Sequence, residues 1–143
     1  MRILIIRHAD PDYSIDSLTE RGKVEADLLG GYLSSRLDRE NTYFYVSPLG
    51  RAKDTAKYTL DRLGANAETL DWLSEFCPPV RRPNTDRDSV PWDWLPEDWT
   101  AEDRFYSAEK WTEPEVMVKG EVGKAATLRY TGLDSLLEKH GYV

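Results

Sequence analysis

Residues 3–10 read Ile-Leu-Ile-Ile-Arg-His-Ala-Asp, an apolar run that ends abruptly in polar residues. Four consecutive apolar residues, three of them β-branched, predict a strand buried on both faces, as in the centre of a parallel sheet. The polar residues that begin at Arg7 then lie where this strand ends. Open α/β folds bind their ligands at this carboxyl edge of the sheet. Residues 7–10 are therefore the first candidates for a functional site.

Helix and strand patterns alternate after this first strand. Ser17 or Thr19 is predicted to cap a helix that extends to Leu37. The apolar residues of this helix recur at helical spacing and are predicted to form one buried face: Val24, Leu28, Leu29, Tyr32, Leu33 and Leu37. Strands are predicted at residues 43–46 and 68–70.

A second helix is predicted between these two strands. Ser47 is its expected N-cap, Pro48 its first helical residue and Gly64 the residue that ends it. The resulting order, β-α-β-α-β, predicts an α/β fold with three layers, α/β/α, around a mostly parallel sheet. The length of the chain predicts a single domain over residues 1–143.

Residues 76–117 break this alternation. They contain six of the eight prolines and four of the five tryptophans, with no clear period. We expect an inserted cap region that packs through its aromatic side chains over one face of the sheet. Residues 120–140 then return to a helical pattern.

Composition and charge exclude several classes of protein. The net charge of −7 argues against a nucleic-acid partner. The longest purely apolar run, residues 3–6, is too short to cross a bilayer or to act as a signal peptide, so we expect no membrane partner. The single cysteine, Cys77, allows no internal disulfide and fits a cytoplasmic location. A bound phosphate would need a local group of arginines in so acidic a chain.

Such a group is predicted where two strands end. Arg51 lies in the first turn of the second helix, where unpaired N–H groups and the helix dipole favour an anion. Arg7 and His8 follow the first strand, so two guanidinium groups and one imidazole can converge on a single phosphate. Arginine suits this role because its planar fork donates paired hydrogen bonds and keeps its charge.

Three motifs, in this order and spacing, resemble those of the histidine phosphatase superfamily, which includes the cofactor-dependent phosphoglycerate mutases. The motifs are Arg7-His8 after the first strand, Leu18-Thr19-x-x-Gly22 at the start of the first helix, and Ser47-Pro48-Leu49-x-Arg51-Ala52-x-x-Thr55-Ala56. The resemblance is strong over residues 1–75 and loose beyond them. It implies a phosphoglycerate mutase-like fold.

The resemblance also implies roles for four residues. The histidine that matches His8 attacks phosphorus and becomes a phosphohistidine, which water hydrolyses, and the arginines that match Arg7 and Arg51 hold the phosphoryl oxygens. Glu75, after the third strand, is the candidate acid for the leaving group, with an ordinary surface carboxylate as the alternative. Ala9 stands where many members have glycine. The family requires no metal or other cofactor, and the implied partner is a phosphorylated small molecule or a phosphoprotein.

The second histidine of the family has no clear counterpart in this chain. The other histidine, His140, lies at the polar end of a helix that Gly141 is expected to cap, so the role is not carried over to it. No central strand is predicted after Leu70. We therefore expect a chain that lacks the C-terminal part of the domain, with an exposed sheet edge that a homo-oligomer or the missing part would cover.

Other functions remain open. A phosphoglycerate mutase-type phosphotransferase would use the same phosphohistidine, and a phosphate-binding module without activity would follow from the missing histidine. Residues 10–14 also have the D-x-D-x-S spacing of haloacid-dehalogenase-type phosphatases, which use an aspartate nucleophile and magnesium. In those proteins the first aspartate follows the strand directly, whereas Asp10 comes four residues after Ile6, and Arg51 is left without a role.

Overall fold

The chain, in a computed structural model, divides into two compact units, Met1–Ser74 and Glu75–Val143. The structure describes residues 2–83, 85 and 87–142. The single domain and the cap at 76–117 stay predictions. Over the described ranges no helix has the length and apolar content of a membrane span.

The first unit combines two long helices with short strands. Its elements are β1 (Pro11–Asp12), β2 (Ser17–Leu18), α1 (Glu20–Ser34), β3 (Tyr45–Val46), α2 (Gly50–Leu63) and β4 (Glu68–Thr69), with 3₁₀ turns at Arg39–Asn41 and Asp71–Leu73. β1 pairs with β2 antiparallel, and β3 pairs with β4 parallel. Both predicted helices are confirmed, and so is the parallel pairing of the strands that flank α2. The β1–β2 hairpin has no counterpart in the predicted elements.

The predicted first strand is wrong. Residues 2–9 form neither helix nor strand, and all four apolar residues of the run are exposed, with Ile5 at 94%. A strand of a parallel sheet needs partners for its backbone groups and cover for both of its faces. Among the described residues the parallel pairing joins only β3 and β4. The apolar run therefore lacks the neighbours that would make it a strand.

The buried face of α1 also differs from the prediction. Thr19 is the N-cap, as one of the two predicted alternatives, and its hydroxyl accepts the Gly22 N–H at 3.0 Å. The expected apolar stripe is largely on the surface, with Val24 60% and Leu28 70% exposed. The buried residues are instead mostly small: Gly22, Ala26, Gly30 and Leu33. The α2 backbone approaches closely at Gly30 and the Asp10 carbonyl approaches closely at Gly22. Small side chains are needed at these contacts, and this outweighs the burial of the larger apolar ones.

The α2 helix buries a polar face. Arg51, Thr55 and Thr59, one turn apart, are all less than 9% exposed. The N-cap is Leu49, which makes no side-chain capping bond, so the prediction of Ser47 is wrong. The helix ends as predicted at Gly64, whose φ of 61° is the left-handed conformation that glycine adopts without strain.

The second unit consists of a small sheet, two short helices and one long one. Its elements are β5 (Val80–Arg81), β6 (Asp88–Ser89), α3 (Pro96–Trp99), α4 (Glu115–Lys119) and α5 (Val122–Lys139), with 3₁₀ turns at Pro91–Asp93 and Asp103–Tyr106. β5 and β6 are antiparallel. The predicted C-terminal helix is confirmed, with His140 as its C-cap and Gly141 next at a φ of 78°.

Aromatic side chains hold the second unit together. Its buried cluster consists of Val80, Trp94, Phe105, Met117 and Val122. The rings of Trp94 and Phe105 meet edge to face with centroids 5.3 Å apart. Trp99 and Trp111 pack against the cluster, whereas Trp92 is 46% exposed. The ring of Trp92 still packs against that of Phe76, with centroids 6.3 Å apart. All four tryptophans therefore contact other side chains of the segment, as expected.

The close packing of α1 on α2 is testable at two adjacent glycines. A Cβ at Gly30 would lie 2.9 Å from the backbone carbon of Tyr58, whereas a Cβ at Gly31 meets nothing within 4 Å. We expect Gly30→Ala to lower the free energy of unfolding by about 1–3 kcal/mol, because the helices must move apart. Gly31→Ala is the matched control and should raise it by up to about 1 kcal/mol through helix propensity. Urea denaturation followed by circular dichroism measures both, and equal effects would contradict this packing.

Candidate functional site

The segment after His8 is held against the start of α1. The Asp10 carbonyl accepts the Thr19 N–H at 3.1 Å, and the Asp10 carboxylate accepts the Thr19 hydroxyl at 2.6 Å. The Asp10 N–H donates to Glu25 on α1 at 3.0 Å. A Cβ at Gly22 would overlap the Asp10 carbonyl oxygen, so glycine is needed for this approach. The backbone on the C-terminal side of His8 is thus fixed by α1.

The same segment is also tied to α2. The Ala9 N–H donates to the hydroxyl of Thr55 at 3.0 Å. That hydroxyl donates in turn to the Arg51 carbonyl at 2.8 Å, one turn earlier in the helix. Thr55 is 4% exposed, so its hydroxyl has little contact with water. The backbone next to His8 therefore docks on the helical turn that begins with Arg51.

The imidazole of His8 is half-buried, and a hydrogen bond defines its tautomer. Its Nδ1 lies 2.8 Å from the Ala9 carbonyl oxygen. A carbonyl oxygen only accepts hydrogen bonds, so Nδ1 carries the proton and donates it. In a neutral imidazole Nε2 then holds the lone pair. In that form Nε2 is the ring nitrogen that is available to accept a proton or to form a bond.

The guanidinium of Arg51 is held by the turn between β1 and β2. Arg51 is 8% exposed, and its Nη1 donates to the Asp16 carboxylate at 2.7 Å. The second oxygen of the same carboxylate accepts the Gly50 N–H, the first of α2, at 2.6 Å. The Tyr13 ring centroid lies 5.2 Å from the Arg51 Cζ, within the range of a cation–π contact. Arg51 is thus contacted by two residues of one turn.

The Asp16 carboxylate accepts an N–H at the start of α2. From the sequence, Ser47 was expected to cap this end of the helix and a bound anion to lie beside it. The φ of Asp16, 48°, lies in the left-handed region, and a Cβ at Gly50 would overlap the Asp16 carbonyl oxygen. The Gly50 N–H and then the Arg51 guanidinium hold the pKa of the Asp16 carboxyl below its ordinary value. These contacts are therefore lost only as the pH falls through that lowered pKa.

Sequence reasoning missed Asp16 because local patterns reveal caps from adjacent residues only. The carboxylate reaches a helix 34 positions further along the chain. The one sequence signal for such a role was an aspartate in a turn, because aspartate tolerates positive φ better than most residues.

The two remaining site residues are exposed. Arg7 makes no side-chain hydrogen bond or ion pair within the described part of the chain, and its role stays a prediction, as do those of His8 and Arg51. Glu75 is the first residue of the second unit, where its backbone carbonyl accepts a hydrogen bond from Arg129 at 3.1 Å. Its role as an acid also stays a prediction.

The two aspartates of the D-x-D-x-S spacing take part in local turns. Asp10 binds Thr19, and the Asp12 carboxylate accepts the N–H of Ser14 at 3.0 Å and its hydroxyl at 2.5 Å. The Ser14 hydroxyl and N–H hold the pKa of Asp12 below its ordinary value. Both carboxylates therefore have structural partners at the start of the chain.

The docking of the His8 segment on α2 predicts a specific effect of losing one hydroxyl. Thr55→Val keeps the shape of the side chain but leaves the Ala9 N–H without its acceptor, so we expect about 1–3 kcal/mol less stability. Hydrogen exchange at the Ala9 amide should become faster. Thr59→Val, one turn along the same buried face, removes the same group without touching Ala9 and is the control. Unchanged exchange at Ala9 in Thr55→Val would contradict this docking.

Comparison with known proteins places the chain in a family. The family model described as histidine phosphatase superfamily (branch 1) matches residues 3–130. Comparisons with curated proteins and with solved structures give no match. The matched span includes all three motifs, among them the residues that dock His8 on the turn of Arg51. The chain belongs to the histidine phosphatase superfamily.

Proposed function

We propose that this protein is a metal-independent phosphatase that hydrolyses a phosphomonoester through a phosphohistidine at His8. Membership of the superfamily supports phosphatase- or mutase-type chemistry in general. The observation that carries the finer proposal is the bond from His8 Nδ1 to the Ala9 carbonyl, because it directs the lone pair to Nε2. We also propose a three-layer α/β/α arrangement and a cytoplasmic location for the protein.

The reaction consists of two displacements at phosphorus. In the first, the Nε2 lone pair of His8 forms a bond to phosphorus while the bond to the leaving oxygen breaks. The Glu75 carboxyl would donate the proton that the leaving oxygen takes up. In the second, water attacks phosphorus and gives a proton to the Glu75 carboxylate, while the P–N bond breaks, its electron pair returns to Nε2 and inorganic phosphate leaves. Each step has a usable leaving group, which is the advantage of a histidine nucleophile.

The arginines would supply most of the stabilisation. Phosphoryl transfer depends mainly on positioning and on neutralising the charge of the equatorial oxygens. The Arg51 guanidinium is almost fully buried and ion-paired, so little reorganisation is needed when the phosphoryl group binds. Arg7 is exposed and would supply a second guanidinium to the phosphoryl oxygens. The proposed substrate is a phosphorylated small molecule or a phosphoprotein.

A chromogenic phosphomonoester such as p-nitrophenyl phosphate tests this proposal. We expect the wild-type chain to release phosphate and His8→Ala to lower kcat/KM by about 10³-fold or more, because the nucleophile is lost. His140→Ala removes the other histidine, the C-cap of α5, and should leave kcat/KM unchanged. Activity should persist in excess chelator, whereas a haloacid-dehalogenase-type reaction would stop.

The same assay distinguishes the alternative functions. Equal activity of His8→Ala and wild type would overturn the proposal. Phosphate binding without any turnover would indicate a phosphate-binding module. Transfer of the phosphoryl group to an added alcohol in preference to water would indicate a phosphotransferase. Intact mass of the enzyme quenched during turnover, with the adduct mapped to His8, provides a direct check of the intermediate.

A further inference from the structure

The turn at residues 13–16 has no part in the proposed reaction, yet it contacts the guanidinium that the reaction needs. Tyr13 lies beside Arg51, and Asp16 binds it through a charged hydrogen bond. Asp16 also accepts the first N–H of α2. One carboxylate thus links the start of this helix to the arginine in its first turn.

We infer that Asp16 is a positioning residue that fixes the plane of the Arg51 guanidinium for the phosphoryl group of the substrate. The inference rests on the proposed function. A guanidinium is planar and carries five N–H donors in a rigid fork. Because the plane is rigid, an ion pair at Nη1 and an aromatic ring near Cζ restrict the directions of all its donors at once.

A capping role alone does not account for the geometry. The cap of α2 needs one acceptor for the Gly50 N–H, and Oδ2 of Asp16 supplies it. The other oxygen, Oδ1, is bound to Arg51 at 2.7 Å. The carboxylate is therefore shared between the helix and the guanidinium, and its charge is needed by the second of these partners.

The turn is seated on α2 by more than this one side chain. The Asp16 carbonyl lies against Gly50 so closely that a Cβ there would overlap it. The next residue, Ser17, donates its hydroxyl to Asp54 on α2 at 2.5 Å. With anchors at both residues, the carboxylate is a fixed part of the site.

The residue type fits two requirements at once. A φ of 48° is unfavourable for most residues and is best tolerated by glycine, asparagine and aspartate. Glycine and asparagine lack the negative charge that pairs with Arg51. A glutamate has the charge but is not favoured in this backbone conformation. Aspartate satisfies both conditions.

The test is a double-mutant cycle of Asp16→Asn and Arg51→Ala, with inorganic phosphate as the probe. Isothermal titration measures the affinity, and p-nitrophenyl phosphate gives kcat and KM. We expect Asp16→Asn to weaken phosphate binding about tenfold, because a charge-assisted bond to Arg51 is lost. In the Arg51→Ala background Asp16→Asn should have no further effect on this affinity.

A matched control separates positioning from capping. Asp38 caps the 3₁₀ turn at Arg39–Asn41 by accepting the Glu40 N–H, and its side chain bonds Asn41 rather than an arginine. Asp38→Asn should leave phosphate affinity unchanged. If Asp16→Asn does not fold, Asp16→Gly removes the carboxylate while relieving the positive φ, and it should show the same loss of affinity.

The outcomes distinguish a failure of the proposed function from a failure of the positioning role of Asp16. If Arg51→Ala binds phosphate as wild type does, the proposed site is wrong and the inference falls with it. If Arg51→Ala weakens binding but Asp16→Asn lowers only the unfolding temperature, the function stands and the positioning role is overturned. A loss from Asp16→Asn that persists in the Arg51→Ala background also overturns it, because Asp16 would then act by another route.

Discussion

The first turn of α2 needs an acceptor for its N–H groups, and the first unit satisfies this need with a carboxylate from another segment. Unpaired N–H groups at a helix start must find partners. Leu49, at the N-cap, has no side-chain oxygen to offer, and Asp16 accepts the Gly50 N–H instead. This bond brings the β1–β2 hairpin onto the helix. The hairpin in turn contacts Arg51, and Thr55 on the next turn holds the backbone beside His8.

Predictions from sequence succeeded where local chemistry decides the structure. Thr19 as a cap and Gly64 as a helix end depend on nearby backbone groups, and both are confirmed. The predictions failed where contacts between distant parts of the chain decide the structure. The run at residues 3–6 has strand-forming side chains, but strand formation depends on neighbours that sequence periodicity does not reveal. The predicted Ser47 cap was wrong for the same reason, since a residue from another segment meets the need of the helix.

The sequence indicates candidate residues for the site, but it does not indicate the contacts that hold them in place. The motifs around His8 and Arg51 were recognisable because phosphate binding restricts which side chains can serve. The residues that dock them on one another, Thr55 and Asp16, are common types in ordinary positions. Thr55 lay within a recognised motif, yet its bond to the Ala9 N–H was not deducible from spacing. Supporting contacts are specified by the packed backbone, and only coordinates show them.

A carboxylate beside a proposed phosphate site raises an electrostatic question, because like charges repel. The repulsion is limited by geometry. Asp16 pairs with Nη1 of Arg51, so an anion bound through other donors of the guanidinium would lie closer to the guanidinium than to the carboxylate. The attraction then acts over the shorter distance and outweighs the repulsion, since Coulomb energy falls with separation. The Asp16 side chain is also 43% exposed against 9% for Arg51, so water screens the negative partner more than the positive one. A fixed, partly solvated carboxylate can thus orient a buried guanidinium without cancelling its attraction for phosphate.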